Sequence, residues 1–199
     1  YRLDPKEAGG WGADHLVLVE EAGTEEDIAG ALADWARVEA PWAILAGSTA
    51  YGREIASRVA VAVEAGLTGD VVDLEVVDER LVAWKPAFGG LLVAAITATS
   101  PIQMATVRAG VLPRPKPRTS EAKLSTVVAA PRRRVKVLVR RRDDSLERLS
   151  EADAVIAVGA GVAPDELHRL SDLRSLMNAE FGCTRKVTDM GWMSHASQI

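Results

Sequence analysis

Thr184 and Arg185 put a hydroxyl next to a cation inside the stretch GCTRKVTDMGWMSHASQI, Gly182 to Ile199. The same stretch holds an acid shortly before a glycine (Asp189, Gly191), an indole (Trp192), an imidazole (His195) and an amide (Gln198). An arginine directly after a strand of a parallel sheet sits at the strand carboxyl ends, where ligands bind in such sheets. A guanidinium fixed there would favour the anionic form of a ring it faced. An ordinary surface salt bridge uses the same residues, and the residue types alone leave both readings open.

Three other constellations could carry chemistry. A strand followed by Gly159-Ala160-Gly161 and then a helix brings backbone N–H groups toward an anion. Pro164 stands where the GxGxxG fingerprint needs its third glycine, and a tight strand–helix connection is the commoner use of such a turn. Eleven cations crowd the stretch from Arg114 to Arg142. No aromatic side chain lies among them to stack a base, so a solvated face, or a docking surface for an acidic protein, is favoured over a nucleic-acid footprint. His15, His168 and His195 have no metal-ligand spacing and Cys183 has no nearby Cys or His partner, so no metal is assigned. Ser, His and Asp occur in no nucleophile-elbow context, and no catalytic residue is assigned.

The elements that must position these groups follow from periodicity. Tyr1 to Gly12, broken by Pro5 and Gly9-Gly10, reads as irregular. His15 to Glu21 reads as a buried strand. Thr24 with Asp27 marks a helix start, and Ile28, Leu32, Trp35 and Ala36 then share one face as far as Pro41. Trp42 to Gly47 is a second apolar strand. A helix carrying Ile55, Val59 and Val63 follows and closes at Gly66. Strand–helix–strand–helix with apolar strands predicts a parallel sheet covered on both faces.

Val71–Val77, Leu81–Phe88, Leu91–Thr99 and Gln103–Val111 then read as strands with short breaks, a meander added to the parallel core. Pro86 places its strand at an edge or bulge. Leu112 to Lys123, with its prolines and charges, is an extended surface loop. LSTVVAA and RVKVLVR follow as strands. The polar run Arg141 to Ser145 is a hinge, giving domains over 1–145 and 150–199. Asp153 to Gly161 is a strand, and a helix from about Pro164 to Asn178 turns Leu167, Leu170, Leu173 and Leu176 inward.

The bulk numbers exclude several classes. A chain of 199 residues, 48% hydrophobic and 26% charged, is an ordinary globular composition with room for one large domain or two small ones. A net charge of −4 excludes a global polycation. The single Cys183 excludes an internal disulfide framework and reads as a small buried residue in a reducing compartment. The apolar runs are strand length, so no membrane insertion is expected, and the absence of a leader pattern points to a cytoplasmic protein.

Five blocks in order carry a family resemblance. AYGREIASRVAVAVEAGLTGDVVDLEV, KPAFGGLLVAAI, PIQMATVRAGV, ADAVIAVGAGV and GCTRKVTDMGWMSHASQI together resemble the alpha subunit of electron transfer flavoproteins, from about Ala40 onward. The TVR tripeptide (Thr106 to Arg108) and the stretch around Thr184-Arg185 with Asp189 and Gly191 are the most specific marks. The resemblance implies a Rossmann-like three-layer α/β domain, mostly parallel with the added antiparallel meander, followed by part of a second α/β domain that binds FAD. It implies an electron carrier, not an enzyme with its own substrate. Its partners would be a beta subunit in a heterodimer, and flavin-dependent dehydrogenases or a quinone reductase. Carried over by position, Thr184 and Arg185 match the pair beside the flavin, Gln198 and Ile199 match the loop continuing around it, and Gly159 and Gly161 match the glycine turn at the cofactor's edge.

The sequence departs from the family pattern in three ways. Ala160 stands where the family commonly has an arginine, and Leu91 where an asparagine is frequent. A Gly-x-Thr-Gly loop is expected after Ile199 and a strand–helix pair before Tyr1, so the chain is expected to correspond to part of the family's length. The spelling of PAFGG and QMATVRAGV is closer to bacterial branches, some of which couple to electron bifurcation. A cofactor-free, truncated or diverged interaction module of the same fold is the alternative these departures motivate.

Overall fold

A computed structural model describes residues 3–130, 134–139, 149 and 152–199. The chain divides into two compact units, Tyr1–Leu138 and Val139–Ile199.

The first unit is built on the parallel trio β2 (Ala43–Gly47), β7 (Gln103–Val107) and β3 (Gly66–Val71), with β7 in the middle. Alternation along β7 sends its side chains to opposite faces. Met104 joins a core with Ala29 of helix α2 (Glu25–Glu39) and with Ile55, Ala56, Val59 and Ala60 of helix α3 (Ala50–Ala62). On the other face Ala105 packs with Val71, Leu81 and Ala83. Leu81 and Ala83 belong to β5 (Arg80–Ala87), the centre of an antiparallel sheet with β4 (Asp73–Val77) and β6 (Leu92–Thr97). The three layers are therefore a helix pair, the parallel sheet and the meander. Each fully buried Val or Ile in these two cores is worth about 1.5–3 kcal/mol of transfer free energy.

Local chemistry sets the ends of these elements. Thr24 and Asp27 form the expected capping box at the start of α2, and Ala40, at φ 44°, stops that helix in the left-handed region. Thr49 caps α3 by accepting from the Gly52 N–H. Asp78 and Glu79 both take positive φ (47° and 60°) in the tight β4–β5 turn, as a two-residue hairpin requires. Gly52 is fixed by contact: a Cβ there would lie 2.1 Å from the Gly47 carbonyl oxygen, so the first turn of α3 can press onto the end of β2 only without one.

Several expectations are corrected. Residues 5–10 form helix α1 (Pro5–Gly10), because Asp4 caps it by accepting from the Glu7 N–H at 2.7 Å and Pro5 suits the first turn. β1 (His15–Glu20) is half-buried with exposed ends, and pairs in parallel with β8 (Lys123–Val128). Gly66 opens β3 and does not close α3, which ends at Ala62. The stretch Gln103–Val107 is the central parallel strand and not a member of the meander. Its buried Gln103 ties the two sheets by accepting from the Leu81 N–H at 2.8 Å. Pro86 pairs with Val93 of β6, beyond the point where β4 leaves β5, so the unpaired side of its strand there fits the missing N–H. The strand read as far as Val111 ends at Val107, so the irregular loop expected over 112–123 runs over 108–122 and Lys123 opens β8, whereas 134–139 are exposed and not strand. The hinge run Arg141 to Ser145 lies outside the described residues.

Candidate functional site

The second unit holds two parallel strands, β9 (Val155–Val158) and β10 (Glu180–Cys183), with Val158 beside Cys183 at their carboxyl ends. The residues singled out in the sequence lie at those ends. After β9 the chain turns at Gly159, whose carbonyl accepts from the Val162 N–H at 3.2 Å. A Cβ at Gly159 or Gly161 would meet no atom within 4 Å, so the turn faces open space.

The helix expected after this turn is wound in two ways. Pro164–Leu170 is 3-10 helix with Pro164 in its first turn, and Ser171–Met177 is the α-helix α4. Leu167 and Leu170 pack against the core of Val158, Cys183 and Val187. The change from 3.0 to 3.6 residues per turn rotates the apolar stripe away. Leu173 and Leu176 consequently point outward, at 44% and 85% exposure, against the expectation of an inner face.

After β10 the Thr184 N–H donates to the Val158 carbonyl at 3.0 Å, extending the ladder by one residue. Thr184 is then the N-cap of a short helix, α5 (Arg185–Asp189), but its hydroxyl makes no capping bond and remains exposed. Arg185 opens that helix with its side chain 81% exposed, Nε lying 3.4 Å from Asp189 Oδ2. The far side of α5 is buried through Val187 and Thr188. Gly191, at φ 72°, turns the chain back, and the segment ending in Gln198 and Ile199 lies parallel beside β10. The Ile199 N–H donates to the Cys183 carbonyl at 3.0 Å. Gly182 makes room for this return: a Cβ there would lie 2.7 Å from Ile199 Cγ2. Cys183 is fully buried and its thiol pKa is pushed up by desolvation, which matches a packing role and not a nucleophile.

Thr184, Arg185, Gln198, Ile199, Gly159 and Gly161 thus follow the carboxyl ends of neighbouring strands. An exposed cation, a free hydroxyl, an amide and an open glycine turn form a set that fits a large anionic, aromatic cofactor. Ala160 adds only a methyl group, which packs under the turn. Sequence reasoning missed Thr188, whose buried hydroxyl reaches the Gln198 side chain. A polar residue directly beside the buried Val187 was the available signal.

A second polar cluster sits at the carboxyl ends of the first unit's parallel sheet. Arg108 donates through Nε and Nη2 to both oxygens of Asp70, at 3.2 and 2.6 Å. The Thr106 hydroxyl accepts from the Asp70 N–H, and Ser48 donates to Asp70 Oδ1. Lys85 donates to the Gly69 carbonyl. The Arg108 hydrogen bond holds the Asp70 carboxyl below the usual carboxylate range, against a partial desolvation that raises it. Asp70 adopts φ 60° at the head of this network. The TVR tripeptide is thus a structural tie between β7 and β3, and nothing in the sequence announced Asp70 as its partner.

Of the basic run, Arg114, Lys116, Arg118 and Lys123 are exposed. Arg134 pairs with Glu26, while Arg132, Arg133 and Arg140 to Arg142 lie outside the described residues. Among the described residues no group of His, Cys, Asp and Glu could hold a metal ion, and no helix is long and apolar enough to cross a membrane.

Comparison with known proteins bears on these two units. Residues 4–132 match the family model described as the electron transfer flavoprotein domain, and residues 148–199 match the electron transfer flavoprotein FAD-binding domain. The chain belongs to the electron transfer flavoprotein alpha-subunit family. Among its relatives, Protein FixB of Azorhizobium caulinodans is 33% identical over 97% of this chain and 56% of the relative. The electron transfer flavoprotein subunit alpha of Thermoanaerobacterium thermosaccharolyticum is 32% identical over 95% of this chain and 61% of its own length. LctC, a subunit of the lactate dehydrogenase (NAD(+),ferredoxin) of Acetobacterium woodii, is 32% identical over 87% of this chain and 43% of that protein. The chain therefore spans little more than half the length of the FixB and alpha-subunit relatives it matches.

Proposed function

We propose that this chain is the flavin-facing part of an electron transfer flavoprotein alpha subunit. It would work in a heterodimer with a beta subunit, taking electrons from flavin-dependent dehydrogenases and passing them to an acceptor such as a quinone reductase. The observation that carries this reading is the placement of Thr184 and Arg185 at the carboxyl end of β10, with the Gly159–Gly161 turn after β9 on one edge of that strand and Gln198 bridged to its other edge. FAD, when bound, would supply the electron storage. The protein's own residues supply binding and electrostatics. Arg185 presents a permanent cation that favours the reduced, anionic ring. Thr184 has a hydroxyl free to donate or accept, because the helix it caps does not use it. Gly159 and Gly161 leave room for close approach, and Ile199 closes the apolar side above Gly182. We place the boundary between the two domains in the polar run between 145 and 150, and the protein in the cytoplasm.

Ala160 favours a second reading, a cofactor-free interaction module, because it removes a cation that relatives commonly place in the glycine turn. Titration of the chain with FAD separates the two. Uptake that drops at least tenfold in Arg185→Ala supports the flavin role. No uptake by either form, with the chain folded and the beta subunit present, supports the interaction module.

A further inference from the structure

We infer that Thr188 is the positioning residue of the flavin site, fixing the Gln198 amide so that its N–H2 group faces the cofactor. The inference rests on the flavin reading given above. Four polar or charged residues are buried among the described residues: Asp27, Gln103, Thr106 and Thr188. The first caps α2, the second ties the two sheets of the first unit, and the third accepts from the Asp70 N–H. Only Thr188 points its buried hydroxyl at a residue of the candidate cofactor site.

The geometry is specific. Thr188 Oγ1 lies 2.8 Å from the Arg185 carbonyl oxygen and 3.1 Å from Gln198 Oε1, its single proton shared between the two acceptors in a three-centre hydrogen bond. One hydroxyl therefore bridges the main chain of the arginine and the side chain of the amide. The Gln198 main chain is held separately, by the parallel bridge to Cys183 and by its N–H donating to the His195 carbonyl at 3.1 Å. Backbone and side chain are thus pinned by different elements, β10 and α5. With Oε1 engaged inward, the amide nitrogen is left outward as a donor of two protons, suited to an electron-rich ring edge or carbonyl. Glutamine has much rotamer freedom to lose, so holding it before the cofactor arrives raises affinity without adding a contact.

A double-substitution cycle with FAD as the probe tests this. Thr188→Val keeps the shape and deletes the hydroxyl, whereas Thr188→Ser keeps the hydroxyl. Thr188→Val should weaken FAD binding about fivefold, the worth of one net hydrogen bond, and Thr188→Ser should bind within about twofold of wild type. The loss should vanish in a Gln198→Leu background, because the hydroxyl acts through the amide. In the cofactor-free chain, the Gln198 side-chain amide should lose its distinct NMR resonances in Thr188→Val and retain them in Thr188→Ser. Equal losses in both backgrounds, or unchanged binding in Thr188→Val, would overturn the inference while leaving the flavin site intact. A wild-type chain that takes up no FAD would remove the flavin reading itself, and this inference with it.

Discussion

Replacing Gly52 by alanine sets two physical effects of opposite sign against each other. Alanine is favoured over glycine in a helix interior by about 0.8–1.0 kcal/mol, so propensity alone predicts a stabler chain. The contact predicts the reverse. The new Cβ would stand 2.1 Å from the Gly47 carbonyl oxygen and 3.2 Å from its carbon. A comfortable C–H···O contact is about 3.3–3.6 Å, so the shortfall is about 1.2 Å. Neither partner is a flexible side-chain end: Gly47 ends β2 and Gly52 is locked to Thr49 by a 3.0 Å capping bond. Overpacking of this kind costs about 1–3 kcal/mol, and a rigid backbone neighbour argues for the upper end. The net is a loss of about 2 kcal/mol, which lowers the melting temperature by about 4–8 °C in a chain of this size. Urea and thermal melts of Gly52→Ala and Gly161→Ala side by side are the assay. Gly161 has no atom within 4 Å of its would-be Cβ, and its replacement should stay within about 0.5 kcal/mol. A Gly52→Ala chain as stable as wild type or stabler would refute the close approach of α3 to β2.

The remaining predictions probe other links. Asp70 has a folded pKa below its ordinary value of about 3.9, so its pairing contributes fully above that pH and is lost as pH falls through the folded value. Acid titration of stability should therefore show a flatter acid limb in Asp70→Asn, a residue that also tolerates φ 60°. An unchanged limb would mean that the pair does not couple to folding. Gly159→Ala should leave stability within about 0.5 kcal/mol but weaken FAD binding, since its space is open in the protein alone. Comparing the melt with an FAD titration separates a folding role from a binding one. Leu176→Gln, on the outward face of α4 at 85% exposure, should change the melting temperature of this chain by no more than about 2 °C.

Much of the fold was legible because local signals and periodicity agreed. Thr24 and Asp27 announced α2, Thr49 stood at the start of α3, and the apolar runs of β2, β5 and β9 lie where they were read. β3 was not legible, because Gly66, Gly69 and Asp70 break its apolar pattern and its stability comes from pairing with β7. The place of β7 was misjudged for a related reason. An alternating run gives the faces of a strand but not the identity or direction of its neighbours, and four of its five residues are buried. α1 was hidden by the glycines at its end, although Asp4-Pro5 is a start signal. At the site, Arg185 stood out through the family resemblance, whereas β10, the four-residue strand before it, is too short to show a period of its own. The Thr188–Gln198 bond was not legible, because it joins two residues ten apart across a turn that no periodicity describes.

The measurement closest to the central claim is the visible absorbance spectrum, with cofactor content, of the native subunit purified together with its beta-type partner. The account predicts a yellow preparation whose flavin is FAD, with one FAD per copy lost or weakened when Arg185 is replaced by alanine. A correctly folded pair that is colourless, and stays so after FAD is added, would contradict it.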